Sequence, residues 1–62
     1  MFDIEHRKGD RPVGRQIIYS NFLIEALASA KRVATRLGAD HMTVSDDHGE
    51  LLGVFQASYR VH

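Results

Sequence analysis

The sequence predicts a small α+β domain: a mostly antiparallel sheet of three to four strands with one helix packed on one face. Three observations predict it. Residues 1–7 and 41–46 alternate apolar and polar side chains with the period of half-buried strands. Between them, Leu23, Leu27, Ala30, Ala34 and Leu37 follow a 4-3-4-3 spacing, the mark of an amphipathic helix. After the second alternating stretch, Asp46-Asp47-His48-Gly49-Glu50 has tight-turn chemistry and leads into a further apolar strand. The chain order is ββαββ, or βαββ if residues 13–19 do not pair.

The first strand points Phe2, Ile4 and His6 one way and Asp3 and Glu5 the other. Lys8-Gly9-Asp10-Arg11-Pro12 is a turn, because Gly9 accepts positive φ and Pro12 lacks the N–H a central strand needs. Residues 13–19 then run back as a second strand or lead as a loop into the helix. With Gly9-Asp10 at the tip, Phe2 should face Ile17, His6 should face Val13, and Ile4 is set against Arg15.

The helix should start after Ser20 or Asn21, either of which suits the N-cap. Ala26 and Val33 widen its apolar stripe, while Glu25, Ser29, Arg32 and Arg36 lie opposite. Gly38 should end it as a left-handed residue, with Lys31, Arg32 and Arg36 placed where the helix dipole favours cations. In the last hairpin a type I turn with left-handed Gly49 sets Asp46 against Glu50. Val44 then faces Leu52 and Met42 faces Val54 beneath the helix. Leu51, Phe55 and Tyr59 collect on the opposite face.

That last strand is apolar on both sides, so it needs two covers, and one helix supplies one. A chain of 62 residues forms one domain, residues 1–62, and buries only ~60% of its unfolded surface. Having no cysteine, it lacks disulfides and thiolate metal sites. A second copy of the chain is the expected remedy, with Leu51, Phe55 and Tyr59 as interface candidates.

Charge and motifs narrow the function classes. The formal net charge is zero, which argues against broad nucleic-acid binding. The balance is uneven, however. Arg7, Lys8, Arg11, Arg15, Lys31, Arg32 and Arg36 dominate residues 7–36, whereas Asp40, Asp46, Asp47 and Glu50 dominate the remainder. Arg7, Lys8, Arg11 and Arg15 bracket the Gly/Pro turn and are candidates for binding an anion. The four histidines stand in no zinc motif and the serines in no nucleophile elbow, so no catalytic, cofactor or metal residue is assigned. The acids at the first residues stand where a secretory signal would carry bases and an apolar run, giving a cytoplasmic expectation. Residues 24–30, Ile-Glu-Ala-Leu-Ala-Ser-Ala, resemble the helix start of small bacterial α+β domains, HicB-type antitoxins among them. The glycine- and acid-rich signature preceding that helix in the family is missing, so no function is carried over. The expected function is therefore a non-enzymatic homodimeric module that binds a partner macromolecule. The alternative is an antitoxin-like or nucleic-acid-binding regulator using residues 7–15.

Overall fold

The chain, a computed structural model described over residues 1–57, runs β1 (Phe2–Lys8), β2 (Arg11–Ile18), α1 (Leu23–Leu37), β3 (His41–Ser45) and β4 (Leu51–Gln56). The ββαββ order holds, and residues 13–18 lie in a strand. The four strands form one sheet in the order β2-β1-β3-β4, with every neighbouring pair antiparallel. The helix lies over β1 and β2.

Both hairpins differ from the expected register by one residue, for the same reason. The β1–β2 turn is the tight loop expected, with Gly9 at φ 58 and Lys8 opposite Arg11. A bulge then interrupts the ladder: Arg7 pairs with Pro12, His6 pairs with Gly14, and Val13 is the extra residue. Ile4 therefore meets Gln16 instead of Arg15, and Phe2 meets Ile18 instead of Ile17. In the second hairpin the turn is also as expected. Gly49 sits at φ 80, and the Asp46 N–H donates to the Glu50 carbonyl at 2.9 Å. Ser45 pairs with Leu51, but Val44 pairs with Gly53, so Leu52 is extra. Met42 consequently meets Phe55, and Val54 meets Thr43. Phe55 thus lies on the helix side, away from Leu51, contrary to the sequence expectation.

The helix starts one residue later than the capping residues suggested. Phe22 occupies the N-cap and makes no side-chain capping bond. Ser20 acts from two residues upstream: its hydroxyl oxygen accepts the Phe22 N–H at 3.1 Å and its O–H lies 3.3 Å from the Glu25 carboxylate. The C-terminus closes as expected. Gly38 adopts φ 70, its N–H donates to the Thr35 carbonyl, and the Ala39 N–H donates to the Ala34 carbonyl at 2.9 Å. That pair of bonds is a Schellman motif, which satisfies carbonyls the helix end would otherwise leave free.

The core sits between helix and sheet. Ile4, Met42 and Val44 rise from the sheet to meet Ala30 and Ala34, and Leu23, Leu27, Val13, Ile18, Phe2 and Phe55 pack around the margin. Of the predicted helix stripe, the alanines 26, 30 and 34 are the fully buried positions. Small side chains let the helix approach the sheet closely. At Gly14 the approach is close enough that a Cβ would stand 2.6 Å from Leu37 Cδ1.

Candidate interaction surface

The register assigns every strand residue to a face, and the face without the helix forms an ordered grid. One row across the sheet reads Ile17, Asp3, Ser45, Leu51; the next reads Arg15, Glu5, Thr43, Val54. Charge is concentrated on β1 and β2, short hydroxyl side chains stand on β3, and apolar side chains on β4. Arg15 holds Asp3 with both ends of its guanidinium fork, its Nε donating to Oδ1 at 2.8 Å. This hydrogen bonding, reinforced by the cation's charge, lowers the Asp3 pKa against the opposing effect of desolvation. Asp3, Glu5, Arg15, Thr43 and Ser45 line a shallow polar depression on this face.

The candidate anion-binding residues separate into two pairs. Arg7 bonds the Glu5 carboxylate and donates to the Asp10 carbonyl at 2.7 Å, and Arg15 is committed to Asp3. Lys8 and Arg11 stand opposite each other at the exposed tip of the first hairpin. The four cations are therefore not gathered into one basin, and two of them already neutralise neighbouring acids.

The acids and histidines have structural work. Asp46 Oδ1 accepts the N–H groups of His48 and Glu50, both at 2.9 Å, and these bonds lower its pKa. Asp40 fastens the far end of the sheet. Its N–H donates to the Arg7 carbonyl, its carbonyl accepts the Ala57 N–H, and its carboxylate accepts the Gly9 N–H at 2.8 Å. The His41 ring bonds the same carboxylate, and this contact, more than the Gly9 bond, lowers the Asp40 pKa. His6 is fully buried; Nε2 meets Gln16 Oε1 at 3.1 Å, while Nδ1 has no partner among the described residues. No group of three or more His, Asp or Glu side chains among the described residues is arranged to hold a metal ion.

Among the described residues, exposed apolar side chains cluster in two places. Leu51 and Val54 are 58% and 60% exposed on β4, with Leu52 of the bulge beside them. At the entry to the helix, Tyr19, Phe22 and Ile24 are 84%, 64% and 81% exposed. Of the predicted interface residues, Leu51 lies on the uncovered face, Phe55 is half-buried on the helix side, and Tyr59 falls outside the described residues. Sequence reasoning missed Val54, because the bulge at Leu52 moves it between faces. It also missed the helix-entry cluster, whose spacing has no period to reveal exposure. No helix among the described residues is long and apolar enough to cross a membrane. No protein-family model, curated protein or solved structure matches this chain.

Proposed function

We propose that the protein is a non-enzymatic homodimeric interaction module, associating with its own copy through β4 and presenting its remaining surface to a macromolecular partner. The observation that carries this reading is the exposure of Leu51, Leu52 and Val54 together on one strand of a chain too small to build a large core. The bonds that hold the acids and cations support it from the other side. Asp40 and Asp46 secure turns and Arg15 pairs with Asp3, so these groups are engaged in the fold. The regulator reading, which would place nucleic acid on residues 7–15, is the weaker one, because Arg7 and Arg15 must first release Glu5 and Asp3. Sedimentation equilibrium at high micromolar concentration tests the dimer, for which a mass twice that of the chain is expected. A single species at monomer mass would end the proposal. A salt titration against generic duplex DNA tests the regulator reading, since phosphate contacts weaken steeply with salt.

A further inference from the structure

The two edges of this sheet are built differently. β2, at one edge, carries Pro12, which has no N–H to offer, the charges of Arg11 and Arg15, and the bulge at Val13. Those are the devices by which an edge strand resists pairing with another chain. β4, at the other edge, reads Leu51-Leu52-Gly53-Val54-Phe55-Gln56, with no charge and no proline. Past the bulge at Leu52 it is regular, and β4 is last in the strand order, so no strand lies beside it among the described residues. The helix packs over β1 and β2, at the guarded side, and makes no comparable contact with β4 among the described residues.

Resting on the dimer reading above, we infer that β4 pairs antiparallel with β4 of a second copy about a two-fold axis at Val54, joining two sheets into one of eight strands. The side chains select this occupant and this register. A two-fold axis perpendicular to the sheet keeps both helices on one side, so each residue must meet one from its own face. Centring at Val54 sets Val54 against Val54 on the uncovered face, a β-branched pair of the kind that stabilises ladders. It sets Gly53 against Phe55 of the other copy, twice, on the helix side. The Phe55 ring already leans along its own strand, with its edge 3.1 Å from where a Cβ on Gly53 would stand. Each ring thus packs over the glycine of its own strand, and across the seam the facing copy meets no side chain on Gly53 itself. The strand holds no charged residue, so self-pairing opposes no like charges. This arrangement also places Phe55 at the interface although it does not share a face with Leu51.

The absence of cysteine from the chain makes a direct test available. Val54→Cys changes an exposed side chain, and under mild oxidation it should give a disulfide-linked dimer, because residues facing across a ladder lie within disulfide reach at ~5.5 Å. Thr43→Cys, on the neighbouring strand, should not, since three strand spacings separate its two copies by ~14 Å. Val54→Lys should raise the dimer dissociation constant on the order of 10-fold by placing two cations face to face, with partial recovery in high salt. Thermal melts of each variant, with two-state unfolding retained, establish that the fold survives. A stable dimer in which Thr43→Cys cross-links as readily as Val54→Cys would overturn edge pairing and leave a face-to-face dimer standing. A monomer at every concentration would remove both the pairing and the dimer reading on which it rests.

Discussion

Replacing Ile4 by alanine tests whether the core lies where the register places it. Ile4 is fully buried, and its ladder partners are Gln16 on one side and Val44 on the other. The substitution removes three buried carbons, worth ~2.4 kcal/mol at ~0.8 kcal/mol each. The residual cavity adds to that, which puts the loss at about 3–4 kcal/mol, inside the range for such truncations. A chain of this length has a total stability of about 3–9 kcal/mol, so the variant should be marginal. Ile24→Ala makes the same chemical change at a position 81% exposed, on the first turn of the helix. It should stay within ~0.5 kcal/mol of the parent. Urea unfolding followed by circular dichroism, at one low protein concentration for all three chains, measures both. With a slope near ~1 kcal/mol/M for so small a protein, the Ile4 midpoint should fall by several molar while the Ile24 midpoint barely moves. Equal losses at the two positions would refute the assignment of Phe2, Ile4 and His6 to the helix side, and with it the faces of all four strands.

Two further outcomes follow from the turns and the acids. Gly49→Val should destabilise by ~1–2 kcal/mol and Gly49→Asn by clearly less, because φ is 80 there while nothing stands within 4 Å of a new Cβ, so backbone strain acts alone; equal melting temperatures for the two would refute it. Asp3, Asp40 and Asp46 all sit below their ordinary value of 3.8 through bonds that exist in the folded chain. The unfolded chain therefore takes up these protons first as pH falls, so the stability they contribute is complete above about 3.8 and is lost as pH drops through the lower folded values. Urea midpoints should be level from roughly pH 7 to 5 and decline below about pH 4; a decline already under way at pH 6 would assign the acid sensitivity to other groups.

Elements and turns were legible in the sequence, and register was not. The helix, β1, β3, β4 and left-handed Gly9, Gly38 and Gly49 follow from period and turn chemistry, which are local signals, whereas the sequence leaves residues 13–19 open between a strand and a loop. Each register error comes from one inserted residue, Val13 or Leu52, and both are ordinary strand residues that announce no bulge. The first left a clue in the unfavourable pairing of Ile4 with Arg15; the bulge resolves it by placing Gln16 there and sending Arg15 to Asp3. The second left none. A strand apolar on both faces lacks the alternation that fixes which side is buried, so sliding it by one residue is almost silent in the sequence. The candidate surface inherited that ambiguity directly, with Val54 and Phe55 exchanging faces. The helix start failed for a different reason. Ser20 has capping chemistry, but it acts from two residues before the N-cap, where its hydroxyl receives the Phe22 N–H.

The way the core is filled supports the proposed pairing with a second copy. The residues of α1 that touch the sheet most fully are three alanines, and an alanine removes little apolar surface from water compared with the ~1.5–3 kcal/mol of a buried leucine or isoleucine. Among the described residues, the large side chains that are fully enclosed are Ile4, Met42, His6 and Val44. One of those four is an imidazole whose Nδ1 is unpaired among the described residues, a burial that costs ~1–3 kcal/mol. Close helix packing is thus obtained with small side chains, and the larger apolar residues are displaced to β4 and to the helix entry. A folded state built this way gains from any contact that covers Leu51, Leu52 and Val54, and such a contact exists only in the folded chain. The proposed dimer links association to folding: on that reading stability should rise with protein concentration, and the loss in Ile4→Ala should shrink at concentrations that populate the dimer, because mass action favours the state that can pair.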